Sequence, residues 1–208
     1  MYAFDRPING PQGSCVHRTS FCNDTCYNIK LYRMYPNMTQ RDLRAEAWWR
    51  QITGKEVAKL LKRKRRQITR VRFMTRGEAL KDRSDVDRVK DICKENPGTT
   101  FWLPTRAWRQ PALRHIIERE LFPIKNLALN ASLDPSNTDA EWSSLTKSGW
   151  SIMFFGDDSR ITTPAGKRMF MCPKTHAKLK GHCDTCKAGC FGLRTSFAKR
   201  TDVHLSTH

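Results

Sequence analysis

Thr99-Thr-Phe-Trp-Leu103, then Pro111-Ala-Leu-Arg-His-Ile-Ile-Glu-Arg-Glu-Leu121, then Leu127-Ala-Leu-Asn-Ala-Ser-Leu133 read as strand, helix and strand, and this triplet decides the fold. Pro97-Gly98 turns the chain into the first run. Pro111 suits a first helical position, because the N–H it lacks is one that a helix start leaves unbonded anyway. Leu113, Ile116, Ile117 and Leu121 then recur at helical spacing along one face. The second strand stops at Asp134-Pro135. A strand, a helix and a strand in close succession form a βαβ unit with parallel strands.

The unit repeats in both directions. Upstream, Arg70–Thr75 reads as a strand stopped at Gly77, and Ser84-Asp-Val-Asp87 opens a helix with Val86, Val89 and Cys93 at core spacing. Downstream, Asp139–Lys147 reads as a short helix ended by Gly149. Trp150–Phe155 follows as a strand, and Met169–Met171 is a last apolar stretch before Cys172. Roughly four to six such units fall short of a closed eight-stranded barrel, which takes ~250 residues. The expectation is an α/β fold: a partial or open (β/α) TIM-barrel-like parallel sheet with cysteine-rich terminal loops. Functional groups in such sheets gather where strands end. Those ends here are Thr75-Arg-Gly-Glu78, Pro104-Thr-Arg106, Ser132-Leu-Asp134 and Gly156-Asp-Asp158.

Residues 1–38, with breakers at Pro7, Gly10, Pro11, Gly13 and Pro36, read as irregular chain. Thr39-Gln-Arg-Asp42 reads as a capping box opening a helix with Leu43, Ala47 and Trp48 on one face. Thr53-Gly-Lys-Glu56 opens another, with Val57, Leu60 and Leu61 as its apolar stripe. Residues 1–193 are expected to form a single cysteine-rich domain, and 194–208 a loosely ordered basic tail.

Seven of the eight cysteines sit at the two ends: Cys15, Cys22 and Cys26, then Cys172, Cys183, Cys186 and Cys190. Four disulfides would require an oxidising compartment. Nothing supports one, since Met1–Pro11 has no apolar h-region and no apolar run approaches the ~20 residues of a membrane span. Free thiolates in a cytoplasm are the expectation, and thiolates two or three residues apart converge on one metal centre. Paired C-x2-C knuckles typical of zinc occur only at Cys183/Cys186, whereas Cys22/Cys26 and Cys186/Cys190 are C-x3-C, and Pro173 follows Cys172. Uneven spacing beside a proline suits an iron–sulfur cubane (4Fe-4S), with structural zinc as the alternative. The seven thiols serve either one site that joins the chain ends or two separate ones. Cys93, on an apolar helix face, reads as core. His176 and His182 flank the last cysteines as substitute ligands or surface residues, and no histidine has a readable pairing with a thiol.

Lys and Arg total 38 against 20 Asp and Glu, a net charge of +18. Such an excess attracts polyanions, which makes nucleic acid a candidate partner. The densest basic run is Lys62, Arg63, Lys64, Arg65 and Arg66, read as the end of the second helix, where the dipole also favours cations. Arg70, Arg72 and the basic tail join it as candidate phosphate contacts. Trp48, Trp49 and Trp108 are candidates for base stacking, against core packing for Trp48 at least.

Two resemblances follow from these motifs. Cys22-x3-Cys26 with an aromatic next, Arg76-Gly-Glu-Ala-Leu80 after a strand and Ser132-Leu-Asp134 after a later one resemble the core of radical S-adenosylmethionine enzymes. That resemblance implies a cluster at Cys22 and Cys26, a third thiolate from Cys15 or the C-terminal group, and Glu78 facing S-adenosylmethionine. It departs at position 29, where the family's third cysteine is replaced by Ile29, and at Arg76 and Ala79. The second covers most of the chain: Cys26-Tyr-Asn28, Leu31-Tyr-Arg-Met-Tyr-Pro-Asn37, Gly77-Glu78, Phe101-Trp-Leu-Pro-Thr-Arg106, Asn130-Ala-Ser132 and the closing Cys-Pro…Cys-x2-Cys-x3-Cys-Phe. Together these resemble a phage-encoded family known as gene product eighty-eight. The resemblance implies a phage origin, hence an infected host's cytoplasm, and a cysteine-bound cluster, but no reaction.

Overall fold

A computed structural model describes residues 2–63, 66–157, 159–175, 183, 186, 189–191 and 202–206. In chain order the elements are β1 (Tyr2–Ala3), α1 (Ser20–Thr25), α2 (Tyr27–Met34), α3 (Pro36–Gln51), α4 (Gly54–Leu61), β2 (Lys62–Arg63), β3 (Arg66–Gln67), β4 (Arg70–Arg72), α5 (Arg83–Glu95), β5 (Thr100–Thr105), α6 (Pro111–Glu120), β6 (Leu127–Leu133), α7 (Asp139–Lys147), β7 (Ser151–Gly156), β8 (Phe170–Met171) and β9 (Val203–Ser206). Seven strands in the order β1-β4-β5-β6-β7-β9-β8 form one parallel sheet, open and curled into a half-barrel. The expected partial (β/α) barrel is the fold found.

Alternation along the strands sets the two faces. Val71, Phe73, Phe101, Leu103, Leu129, Leu133, Ile152 and Phe154 join the helix-side core. There they meet Trp49 of α3, Val57 of α4, Val86, Val89 and Ile92 of α5, Ile117 of α6 and Leu145 of α7. Trp102, Ala128, Met153 and Val203 are also buried but lie outside that core, on the inner face. Terminal segments cover them: the turn Gly189–Phe191 packs on β5 and β6, with Phe191 5.6 Å from Trp102. Phe21 of α1 lies 6.2 Å from Phe155 of β7.

Arg6 ties the N-terminal segment into the helix layer. Its guanidinium, 2 % exposed, donates to Glu46 at 2.6 and 2.9 Å, to Asp85 at 2.7 Å and to the carbonyls of Glu78 and Ala79. Trp49 also donates to Asp85, at 2.8 Å.

Several sequence expectations are corrected. The segment read as irregular contains α1 and α2, and α3 starts at Pro36, ahead of the expected capping box. The inward face of α3 is Asp42, Glu46 and Trp49, not Leu43, Ala47 and Trp48, because arginines from elsewhere meet those carboxylates. The cap of α5 is Asp82, two residues before Ser84, its carboxylate accepting from Asp85 N. Part of the expected basic tail is β9, inserted between β7 and β8. The capping box at Thr53–Glu56 forms as read.

Candidate metal centre

The N-terminal thiols are placed by the strand ends. Thr19 caps α1 by accepting from Cys22 N at 2.9 Å, and its hydroxyl donates to Asp134, just beyond β6, at 2.5 Å. Arg106, just beyond β5, is held against the same carboxylate at 2.8 Å, and its charge reaches the Cys22 thiol. Cys26 is the joint between α1 and α2. Cys15 follows Ser14, whose hydroxyl donates to Pro7 O and accepts from Glu78 N at 2.8 Å. The turn that allows this approach requires Gly77. Its φ is +81°, and a Cβ there would stand 2.6 Å from both the Arg6 carbonyl oxygen and Ser14 Oγ.

Burial pushes the Cys15 thiol up to about 12, with Glu78, Cys22 and Cys26 adding and Arg18 opposing. Burial also raises Cys22, which Arg106 opposes. Cys15 thus lies within electrostatic reach of both Cys22 and Cys26.

Cys172, Cys183, Cys186 and Cys190 form the second group. Cys172 N donates to His204 O at 2.9 Å, fixing its start to β9. Arg70, opening β4, donates to the carbonyls of Cys183 and Cys186 at 2.9 and 3.3 Å, and its guanidinium lies over Phe191. Burial pushes Cys190 up to about 12, with Cys172, Cys186 and Cys183 adding and Arg72 opposing. Burial and then Cys172 likewise raise Cys183. Both ends of the chain meet the inner face of the sheet. Tyr27 from one and Cys183 and Cys190 from the other all bear on Arg72.

Among the described residues, no group of three or more His, Cys, Asp or Glu side chains is placed to hold a single metal ion. The donor set of both groups is soft thiol sulfur, which fits iron–sulfur clusters or zinc, and binding a cation would supply the positive charge that draws off the protons burial retains. Cys93 is 1 % exposed within the helix-side core and stands apart from both groups, as its spacing indicates.

The remaining sequence candidates are distributed as follows. Glu78 is buried, its carboxylate accepting from Leu80 N, Thr105 Oγ1 and Arg106 N at 3.1, 2.9 and 2.9 Å. Burial raises it in spite of those bonds. It knits the strand ends together, and its charge reaches Cys15. The basic run lies beyond the end of α4, where Lys62–Arg63 pairs antiparallel with Arg66–Gln67, and is not the helix terminus expected. Lys64, Arg65, His176 and His182 lie outside the described residues. Trp49 and Trp108 are buried and hydrogen-bonded, to Asp85 and to Ser132 O, whereas Trp48 is the partly exposed one, against Phe4. Sequence reading missed Arg106 as the link between Cys22 and Asp134 and Asn130 on the inner face, and it took Arg72 for a phosphate contact, whereas its guanidinium lies against Trp102. Asn130 in the otherwise apolar β6 is the signal that was available.

These features define a class: an open (β/α) half-barrel with cysteine thiols at its strand ends and more of them in a segment packed on its inner face. The chain belongs to the gene product 88 family, which matches residues 3–192. No curated protein and no solved structure matches it. Among the described residues, no helix is long and apolar enough to cross a membrane.

Proposed function

We propose that this protein is an iron–sulfur protein that carries clusters on its two thiol groups. The observation that supports the reading is that burial raises the Cys15 and Cys190 thiols, with Cys22 and Cys26 adding at the first and Cys172, Cys186 and Cys183 at the second. Buried thiols that repel one another on ionising gain nothing from proximity unless a cation joins them. Four thiolates are a complete ligand set for a cluster. Three leave one position to a ligand from outside the chain. S-adenosylmethionine is the candidate for that position, with Cys15 supplying the third thiolate that Ile29 cannot. A bound cluster supplies one-electron chemistry. The chain's own part is to shield the site and to hold Cys22 through Arg106 and Asp134. The phage origin that the family resemblance implies belongs to this proposal too.

Purification without oxygen, with iron, sulfide and zinc measured per chain, tests the reading. Brown protein with iron and sulfide in equal amounts supports it. Colourless protein with stoichiometric zinc overturns it.

A second reading, nucleic-acid contact through Lys62–Arg66, is favoured by the net charge of +18 and the exposure of Lys62. Contact through phosphates makes the logarithm of affinity fall linearly with that of salt. Affinity for single- or double-stranded DNA that ignores ionic strength would remove it.

A further inference from the structure

The inner face between the two thiol groups carries polar atoms that nothing among the described residues uses. On β6, Asn130 is 1 % exposed, and neither its Nδ2 nor its Oδ1 has a hydrogen-bond partner. On β5 the buried Nε1–H of Trp102 has none, and on β4 neither has Arg72 Nε. Strand register brings the three together. Arg72 stands beside Trp102, and Trp102 beside Ala128, two residues before Asn130 on the same face. The Arg72 guanidinium lies 4.5 Å from the centre of the Trp102 ring.

A buried hydrogen-bonding group left unmade is a standing cost, and native interiors hold few of them. Here they occur on three adjacent strands. Apolar residues at the same positions would make a more stable sheet, so the patch is shaped for something the folded chain alone does not contain.

We propose that this patch binds a small oxyanion, a carboxylate or a phosphate, through Arg72, Trp102 and Asn130. One cationic N–H, one indole N–H and the two N–H of an amide make a donor set suited to an oxyanion, whose oxygens accept from several donors at once. The one acceptor, Asn130 Oδ1, takes an O–H or N–H on the same ligand. That selects a hydroxy or amino acid, or a phosphate with one protonated oxygen. The site does not depend on what the thiols hold. If Arg72 serves only the thiolates of Cys183 and Cys190, it answers to no added anion, so the two roles are separable.

The test titrates the full-length protein with inorganic phosphate, L-lactate and acetate against chloride at equal ionic strength, following the thermal midpoint and tryptophan fluorescence. Phosphate or lactate is expected to raise the midpoint saturably, and acetate, which offers Oδ1 no donor, to act more weakly. Stronger action by phosphate identifies a phosphate-bearing ligand, and stronger action by lactate a carboxylate. Trp102→Phe keeps the ring and loses only the N–H, and should weaken binding about tenfold. Asn130→Val should abolish the response and raise the midpoint of the anion-free protein, because an unmet amide gives way to a residue suited to a buried strand. The proposal is overturned if no anion shifts the midpoint, if Trp102→Phe responds as the parent does, or if Asn130→Val lowers the anion-free midpoint.

Discussion

Arg70 donates to the main-chain carbonyl of Cys183 at 2.9 Å, across 113 residues of sequence. The contact docks the cysteine loop onto the start of β4, and a second bond to Cys186 O reinforces it. Hydrogen bonds from a charged donor are the stronger kind, and two of them at a partly exposed site contribute about 2 kcal/mol. On the proposed iron–sulfur reading, Arg70→Ala lowers iron content at the C-terminal group and speeds proteolysis between Cys172 and Asp202, with iron at the N-terminal group retained. Iron per chain and mapped cleavage sites check this. Unchanged cleavage would show that the loop is held by other means.

Arg6→Leu should be the most damaging single change in the helix layer. It leaves Glu46 and Asp85 buried without their main cation, and breaking a buried pair in this way costs about 3–5 kcal/mol. Urea unfolding measures it. A loss below about 1 kcal/mol, the size of a surface pair, would mean that Arg50 and Arg88 take over those carboxylates.

The same cluster sets part of the acid limit. Burial alone would raise the Glu46 carboxyl, but the hydrogen bonds and charges of Arg6 and Arg50 outweigh it and hold the group below its ordinary 4.5. A carboxyl lowered on folding contributes stability that is fully present above the ordinary value and is lost as pH falls through the lower, folded one. Stability should therefore drop below about pH 4.5 with a steeper limb in the parent than in Glu46→Gln. Unfolding midpoints measured across that range decide it, and parallel limbs would count against the assignment.

On the same proposed reading, Cys93→Ala should leave iron content unchanged and cost about 1 kcal/mol, the term for a small buried group lost from the core. Cys186→Ala should lose iron together with order in its loop, because metal binding and folding are coupled. Anaerobic metal analysis of both variants separates scaffold from site. Iron lost from the first and kept by the second would reverse the assignment.

The βαβ repeat was legible because apolar periodicity is a local signal. Leu127–Leu133 and Asp139–Lys147 fall where the pattern put them. The inward face of α3 was not legible, because Asp42 and Glu46 are buried against Arg76 and Arg6, and hydropathy cannot register a partner 34 or 40 residues away. Helix α1 has no buried residue and so leaves no stripe to read. The cysteines announced themselves by clustering. Spacing left open which of them belong together, because that depends on where Arg70, Arg106 and Asp134 bring the two ends to rest.

The position of β9 has a consequence for synthesis on the ribosome. It lies between β7 and β8 yet is translated after both, so a nascent chain presents the bare edge of β7 until Val203–Ser206 emerges. Through that interval β8 has no strand to dock on, and the cysteine segment after it has only side anchors such as Arg70 to hold it. An unpaired strand edge is a template for another chain, so crowded polysomes are where this fold is most exposed to mispairing. The arrival of four residues then closes the sheet and the loop in a single step.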